Sequence, residues 1–213
     1  MSPYKSLPEG GVRLLRLLPH SDENSRIECQ LFTYPLLDSG GTHPYDALSY
    51  AWGPPEDNQQ SVYVNGCVLP VRTNLYAALT HLRDRFIDRI LWIDAICIDQ
   101  GNDIEKGHQV EAMAKIYAKA SRVIVWLGDA ADNSNKALKA IRIAAEKQHQ
   151  IPLIDETSHQ AVIKLLERDW FQRIWVSYKQ LAIWASVTNK AGSGPSGGCC
   201  CSTRSDQVWL HGN

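Results

Sequence analysis

The segment from Leu91 to Gly128 constrains the fold of this chain more than any other part. It combines an apolar run at Ile90–Ile98, a segment of helical periodicity at about Asp103–Ala120, and a second apolar run at Arg122–Gly128. Short apolar runs separated by a helical pattern are typical of parallel strands that are buried on both faces. We therefore predict a strand, a helix and a strand in close succession.

One carboxylate, Asp94, lies inside the first apolar run. Burying an acid costs free energy unless the acid is paired or hydrogen-bonded. If the run is a strand, Asp94 is near its carboxyl end, where open parallel sheets place their ligand sites. Two interpretations stay open: Asp94 serves a site, or it is a buried acid that caps a neighbouring helix or anchors the turn at Gly53.

The rest of the pattern extends this organisation. Strands are predicted at Ile27–Tyr34 and Tyr45–Trp52, and Asn65-Gly66 between two β-rich arms predicts a hairpin. The other predicted helices run from Thr73 or Asn74 to about Phe86, over about Asn135–Gln148, and from Ser158 to about Val176. Strands alternating with helices predict an α/β fold with a mostly parallel central sheet, helices on both faces and the hairpin as an insertion.

Composition divides the chain of 213 residues into three parts. Residues 1–44 are predicted to form an N-terminal arm with one short strand, and residues 45–176 the α/β domain. Residues 177–213 form an atypical tail that is rich in Gly, Ser and Cys between Ala191 and Ser202. Such a segment cannot bury enough apolar surface to fold, so we expect disorder there.

Charge and composition exclude several classes of function. A net charge of −1 gives no electrostatic reason to expect nucleic acid as a partner. No window approaches the roughly 18 apolar residues of a membrane span. Cys29, Cys67 and Cys97 stand singly among apolar neighbours, as thiols do in a reducing compartment, so we expect a cytoplasmic protein. The His and Cys residues lack metal-ligand spacing, and no metal site is expected.

Five short motifs, taken in chain order, carry a resemblance to a known family. They are Ala47-Leu-Ser-Tyr-x-Trp-Gly53, Trp92-Ile-Asp-x-x-Cys-Ile-x-Gln100, Glu105-x-x-x-Gln-Val-x-x-Met-x-x-Ile-Tyr117, Val125-Trp-Leu-Gly128 and Arg168-x-Trp-Phe-x-Arg-x-Trp-Val176. Together they closely resemble the heterokaryon incompatibility (HET) domain of filamentous fungi. The resemblance covers about Gly11–Val176, which is most of the chain.

The resemblance implies a nonself-recognition module that triggers growth arrest or cell death through a regulated protein partner or self-association. The family has been likened to Toll/interleukin-1 receptor-like (TIR) domains, some of which cleave NAD. This likeness implies a TIR-like or flavodoxin-like topology and makes NAD a possible substrate. An inactive, truncated copy is a third interpretation, because Ser177-Tyr178-Lys179-Gln180 stands where the family pattern usually has a Gln-Glu pair.

Several motif residues allow both a functional and a structural interpretation. Glu105 and Asp94 are the candidate catalytic acids, but Glu105 also stands three residues after Asn102, as in a capping box. Asp99 and Gln100 follow the predicted strand, where polar loop residues are site candidates. Asp99 fits an Asx turn equally well.

The remaining candidates are spread over three motifs. Gln109 is expected to be partly buried and to bridge its helix to the strand of Asp94. Trp52, before Gly53, either walls a cleft for a planar ligand or packs in the core. Arg168 and Trp170 belong to an aromatic and basic helix that either binds acids or phosphate or closes the sheet. The last two candidates are Ser49 and Tyr50, whose side chains should point to opposite faces of their strand.

Overall fold

The computed structural model describes residues 2–36, 43–55, 59–146, 155–172 and 209–211. In these residues the chain forms one eight-stranded sheet and six helices. The strands are β1 (Gly11–Leu17), β2 (Glu28–Pro35), β3 (His43–Tyr50), β4 (Gln60–Val64), β5 (Cys67–Val71), β6 (Arg89–Trp92), β7 (Ala120–Trp126) and β8 (Trp209–His211). The helices are α1 (Thr73–Leu82), α2 (Asp94–Cys97), α3 (Asp103–Lys119), α4 (Ser134–Glu146), α5 (Glu156–Leu166) and α6 (Asp169–Gln172).

The sheet has the strand order β5-β4-β2-β1-β6-β3-β7-β8 and is mixed. Strands β6, β3, β7 and β8 run parallel to one another. Strand β1 pairs antiparallel with both β2 and β6, and β4 pairs antiparallel with β5. Strands β2 and β4 also pair parallel. The α/β class is confirmed. A mostly parallel sheet is not confirmed, because the sheet is mixed, and a TIR-like or flavodoxin-like strand order is not confirmed either.

The N-terminal residues cause this difference. Sequence analysis predicts one short strand in residues 1–44, whereas the structure has two, β1 and β2, and both belong to the sheet. Four apolar side chains of β1 are at most 1% exposed, namely Val12, Leu14, Leu15 and Leu17. The apolar pattern at Leu14–Leu18 is therefore that of an inner strand, and the N-terminal strands share a sheet with the predicted domain.

Helices cover both faces of the parallel strands. Neighbouring residues of a strand point to opposite faces, and Ser49 of β3 accepts a hydrogen bond from Trp170 in α6. The next residue, Tyr50, is buried and is paired in register with Trp126 of β7, whose indole N–H donates to Asn74 in α1 at 2.8 Å. Thus α6 and α1 lie on opposite faces, with β3 and β7 between them.

The hairpin prediction is confirmed, and the structure adds a reason for its position. Asn65 and Gly66 have φ of 51° and 77°, which are the left-handed conformations that a tight two-residue turn requires. The Asn65 side chain also accepts from the main-chain N–H of Leu31 at 3.0 Å and donates to its carbonyl at 3.1 Å. The turn residue therefore continues the pairing of the hairpin with β2.

The segment Ile90–Ile98 is not one strand. Strand β6 ends at Trp92, and Asp94–Cys97 form the short helix α2. The main-chain N–H of Cys97 donates to the carbonyl of Ile93 at 2.7 Å, which closes a helical turn. An apolar run is compatible with a strand or a buried helical turn, and periodicity alone does not separate the two.

Two helix predictions also change. Helix α1 ends at Leu82, so Phe86, the predicted end of this helix, is 83% exposed in the following turn. The helix predicted over Ser158–Val176 is two helices, α5 and α6, and its last residues lie outside the described part.

Most of the predicted tail, residues 177–213, lies outside the described residues. Residues 209–211 are described and form β8, parallel to β7, so for these three residues the structure differs from the predicted disorder. In the described part of the chain, no helix is both long and apolar enough to cross a membrane.

Candidate functional site

Arg13 on β1 and Glu105 on α3 form an ion pair. The guanidinium Nη1 lies 2.5 Å from Oε1 and Nη2 lies 2.9 Å from Oε2, so the pair is bidentate. The side chains are only 3% and 12% exposed. The guanidinium also donates to the carbonyls of Cys97 and Lys5, and its central carbon lies 5.1 Å from the centre of the Tyr4 ring. These five residues, the Arg13 cluster, join three segments of the chain.

The ionisation of Glu105 follows from this cluster. Burial acts to raise the pKa of its carboxyl group. The hydrogen bonds from Arg13 and from the main-chain N–H of Asp99, together with the charge of Arg13, outweigh burial and lower the pKa below its usual value. Glu105 is therefore an ionised acceptor at neutral pH. A general acid works best with a pKa near the operating pH, so Glu105 is not poised to donate a proton.

The capping box predicted at the start of α3 is only partly present. Asn102 is the N-cap, and its side-chain oxygen accepts from the main-chain N–H of Glu105 at 3.1 Å. The Glu105 carboxylate accepts from the N–H of Asp99 at 3.0 Å, whereas the N–H of Asn102 donates to the Asp99 carbonyl. Asp99 Oδ1 accepts from the N–H of Gly101 at 3.1 Å, as in an Asx turn. The contacts of Asp99 therefore support its structural interpretation.

Gln109 is buried more deeply than predicted and has a different partner. Its side-chain amide donates to the carbonyl of Gly11 at 3.0 Å, so it joins α3 to β1 and not to the strand before Asp94. Among the described residues its side-chain oxygen has no hydrogen-bond partner. A buried acceptor without a partner costs about 1–3 kcal/mol. The described fold therefore leaves one polar atom of Gln109 unsatisfied.

Asp94 connects Trp52 and Gln100. The indole N–H of Trp52 donates to both carboxylate oxygens, at 3.3 and 3.2 Å. Asp94 Oδ1 accepts from the N–H of Ala95 at 2.9 Å, and the Gln100 side chain donates to the main-chain carbonyl of Asp94 at 2.9 Å. We name Trp52, Asp94 and Gln100 the Trp52 bridge. The bridge supplies the partners that a half-buried acid requires, and it ties the segment after β3 to the loop after α2.

The turn after Trp52 depends on a glycine. Gly53 has φ of +75°, which side chains other than that of glycine rarely allow. Its carbonyl accepts a hydrogen bond from Arg72, whose guanidinium lies 5.4 Å from the centre of the Trp52 ring. The Trp52 ring is thus covered by Arg72 and packed against the core, which favours its structural interpretation over a wall for a planar ligand.

A cleft of about 490 Å³ lies where the parallel strands β3 and β7 end. Its lining includes Gly53, Asn74, Trp126, Asp129, Arg168 and Trp170. We name it the strand-end cleft. The carboxyl ends of parallel strands are where α/β sheets place ligand sites, so it occupies the position predicted for a site. Asp94 and Glu105 are not among its lining residues, and the candidate acids are therefore not brought together there.

The last motif residues hold the wall of this cleft together. The indole N–H of Trp170 donates to Ser49 Oγ at 3.0 Å, and both residues are buried. Arg168 donates to the carbonyls of Leu127 at 2.9 Å and Ala131 at 3.1 Å. These bonds fix the loop after β7 and anchor α6 on the sheet. In the structure Arg168 binds main-chain carbonyls, not the acids that sequence analysis considers.

Two buried charges, Arg13 and Asp46, are not among the residues predicted for a site. Asp46 on β3 is 7% exposed, and its two carboxylate oxygens each accept from Arg122 at 2.8 Å. Arg89 lies 3.8 Å from the same carboxylate. Both buried charges stand inside apolar strands, which is the signal that singles out Asp94. Applied to every charged residue of a predicted strand, that signal finds Asp46 but not Arg13, because β1 is not among the predicted strands.

The structure also bears on metal and thiol chemistry. Among the described residues, no group of three or more His, Cys, Asp or Glu side chains is placed to hold a metal ion. Cys29 and Cys97 are buried free thiols, and burial raises the pKa of each to about 12. The thiolate is the nucleophilic form, so neither residue is an active nucleophile at neutral pH.

Comparisons with known proteins place these motifs in a family. The family profile described as "Heterokaryon incompatibility protein (HET)" matches residues 45–178. "Heterokaryon incompatibility protein 6, OR allele" of Neurospora crassa is 31% identical over 215 aligned residues, and the match covers 79% of this chain and 31% of that protein. "Vegetative incompatibility protein HET-E-1" of Podospora anserina is 27% identical over 103 residues, which cover 47% of this chain and 8% of that protein. No solved structure matches the chain.

The matched region agrees with the motifs. It includes β3 from Tyr45 onward, the Trp52 bridge, Glu105, β7 and Arg168, whereas Arg13 precedes it. The chain spans less than a third of the length of the Neurospora relative. The family profile covers more than half of the chain, and the same relative is similar over most of it. The chain belongs to the heterokaryon incompatibility (HET) family.

Proposed function

We propose that this chain is a nonself-recognition and cell-death signalling module that acts in the cytoplasm through regulated protein interaction. Membership of the HET family carries the proposal, because two relatives are named as incompatibility proteins. The triggering partner is a protein, either another chain or a second copy of this one.

The contacts of the motif residues support an interaction role over a chemical one. Glu105 is bound by Arg13, and Asp94 is bound by Trp52 and Ala95. These carboxylates are held by contacts within the chain, and neither is presented to the strand-end cleft. The polar motif residues are thus used to stabilise the fold. We therefore expect the surface of the module to carry the signal.

The surface carries apolar side chains suited to such a role. Phe86, Ile87 and Ile104 are 83%, 68% and 77% exposed. Single exposed apolar residues are ordinary on a protein surface, but adjacent ones favour a contact site. Phe86 and Ile87 are neighbours in one turn and form such a pair.

Cleavage of NAD is the second candidate function, and the strand-end cleft is the observation that favours it. Its volume of about 490 Å³ lies in the range of small-molecule sites. NAD would then be a substrate and not a resident cofactor. The candidate acids Glu105 and Asp94 do not line the cleft, and for this reason we rank this function second. An inactive copy remains the third candidate, with neither activity.

Inducible expression of the 213-residue chain in a filamentous fungus tests the proposal, with growth arrest as the readout. We expect the wild-type chain to arrest growth. The matched control is Leu48→Asp, which places a carboxylate in the core at a fully buried position and should abolish folding and arrest. Continued growth while the wild-type chain accumulates in folded form contradicts the proposal and favours the inactive copy.

Incubation of the purified chain with NAD separates the two active candidates. The interaction proposal expects no release of nicotinamide above the level of the Leu48→Asp control. Nicotinamide-releasing activity that copurifies with the wild-type chain and is absent from the control assigns the enzymatic function instead.

A further inference from the structure

A second cleft, of about 650 Å³, lies between residues 6–12 and helix α3. We name it the α3 cleft. It shares no lining residue with the strand-end cleft, and its volume is in the range of small-molecule sites. The wall is mostly apolar and is formed by Leu7, Pro8, Val12, Leu36, Ile104 and Ala112. The body of a ligand that fills the α3 cleft is therefore apolar.

One polar side chain of this wall, Gln109, has a hydrogen-bonding atom without a partner. Gln109 is 7% exposed, and its amide nitrogen donates to the carbonyl of Gly11 at 3.0 Å. Among the described residues, its side-chain oxygen accepts no hydrogen bond. Buried acceptors in native proteins nearly always have a partner, because an unpaired one costs free energy. An N–H or O–H group of a bound molecule would supply that partner.

The ionisable side chains around the α3 cleft favour an uncharged ligand. Glu105 belongs to the lining, but its carboxylate is already bound by Arg13. The lining also includes Glu9, His108 and Lys115, so that both signs of charge are present. Because neither sign dominates, no net charge of the cleft offsets the cost of taking a charged ligand out of water.

Residues 6–10 form the part of the wall that can yield to a ligand. The oxygen of Gln109 is buried, so a ligand reaches it only when this segment shifts. The segment is held by the bond from Arg13 to the Lys5 carbonyl and by the bond from the N–H of Gly11 to the Pro8 carbonyl at 3.0 Å. Four of its five residues are exposed, namely Ser6, Pro8, Glu9 and Gly10. Exposed segments with few contacts open at a small cost in free energy.

We propose that the α3 cleft binds an uncharged, mostly apolar small molecule that carries one N–H or O–H donor, and that this donor bonds to the side-chain oxygen of Gln109. The apolar wall sets the body of the ligand, Gln109 sets its donor, and the mixed charges select against an ion. The inference goes beyond the proposed function and does not depend on it. It adds a small-molecule site to a module whose proposed partner is a protein.

Titration of the 213-residue chain with indole and with benzofuran tests this inference, with ligand-detected NMR as the readout. The two probes have nearly the same shape, but indole has an N–H donor where benzofuran has an ether oxygen. We expect the wild-type chain to bind indole with a dissociation constant below about 5 mM, and at least about tenfold more tightly than benzofuran. Equal affinity for the two probes, or no binding of indole up to that concentration, overturns the inference.

Gln109→Leu removes the acceptor and keeps the apolar wall. It should weaken the binding of indole at least about tenfold without weakening that of benzofuran, so that the preference for indole is lost. Circular dichroism checks folding, and Gln109→Met replaces this variant if it does not fold. A preference for indole that survives the loss of the Gln109 oxygen shows that the donor bonds elsewhere, which contradicts the inference.

Ala112→Phe fills the α3 cleft and should weaken the binding of both probes at least about tenfold, because a site must enclose most of its ligand. The matched control is Val110→Phe, since Val110 is 44% exposed on the same helix and does not line the cleft. It should bind both probes as the wild-type chain does. Ala112→Leu is used if Ala112→Phe does not fold. Binding of indole that a filled cleft leaves unchanged occurs at another place on the protein, and the inference is then wrong.

Discussion

Replacing Glu105 with glutamine isolates the charge of the Arg13 cluster with almost no change of shape. The guanidinium of Arg13 lies 2.5 and 2.9 Å from the two carboxylate oxygens, and its side chain is 3% exposed. Glutamine keeps one acceptor oxygen. Its amide nitrogen, however, must then face either a guanidinium N–H or the N–H of Asp99, which now donates to the carboxylate at 3.0 Å.

The cost of Glu105→Gln follows from these contacts. Removing one partner of a buried ion pair costs about 3–5 kcal/mol, because the other charge is left buried and unpaired. Arg13 keeps its bonds to the carbonyls of Cys97 and Lys5 and its contact with the Tyr4 ring, which reduces the cost. We therefore expect a loss of about 2–3 kcal/mol in the free energy of unfolding. A capping role alone would cost at most about 1 kcal/mol.

Urea unfolding followed by tryptophan fluorescence measures this loss. The matched control is Glu111→Gln, an exposed carboxylate on the same helix, which should change the free energy of unfolding by less than about 0.5 kcal/mol. Arg13→Met and the double variant complete a double-mutant cycle. We expect the losses of the two single variants to sum to more than the loss of the double variant, because the two side chains are coupled.

A small effect would refute the reasoning. If the free energies of unfolding of Glu105→Gln and Glu111→Gln agree within about 0.5 kcal/mol, the ion pair contributes nothing measurable to stability. Many exposed ion pairs behave in this way. If the cycle shows no coupling, Glu105 acts only through its bond to the N–H of Asp99, and the burial of Arg13 has another basis.

Three further predictions follow from the site. Because the folded-state pKa of Glu105 is lowered, the stability from its pairing is fully present above the unfolded pKa of about 4.3 and is lost as pH falls through the lowered folded-state pKa. The stability gap between the wild-type chain and Glu105→Gln should therefore narrow as the solution is made more acidic, and a gap that does not change with pH contradicts this. Ser49→Ala leaves the buried indole N–H of Trp170 unpaired and should lower the free energy of unfolding, measured by thermal unfolding, by about 1–3 kcal/mol. An unchanged free energy of unfolding would show that this bond is unimportant. Asp94→Ala removes the acceptor of the Trp52 bridge and should cost about 1–3 kcal/mol in urea unfolding; an unchanged midpoint would show that the bridge is dispensable.

Local patterns account for what sequence analysis predicts correctly. The Asn65-Gly66 turn depends on two residues that tolerate positive φ, and both have it. Helix α3 begins and ends within about one residue of its predicted bounds, because its cap and its periodic stripe lie in one continuous segment. Where the local signal is ambiguous, prediction fails, as at Ile90–Ile98, where a buried helical turn and a strand have the same apolar composition.

The contacts of the site could not be predicted, because they join segments that are distant in sequence. Arg13 meets Glu105 across 92 positions, and Trp52 meets Asp94 across 42. The apolar run around Asp94 does show that this acid needs a partner. It does not show which partner Asp94 has.

The sequence by itself determined the α/β class, the type of most elements and the family motifs, because hydrophobic period and turn chemistry act within a short window of chain. Only the tertiary structure decided the mixed strand order, with β1 inserted between β2 and β6. It also decided that Glu105 is held as an ion by Arg13. The physical reason is the same in both cases. Strand partners and the pKa of a buried acid depend on which distant groups are brought together and removed from water, and no local window contains that information.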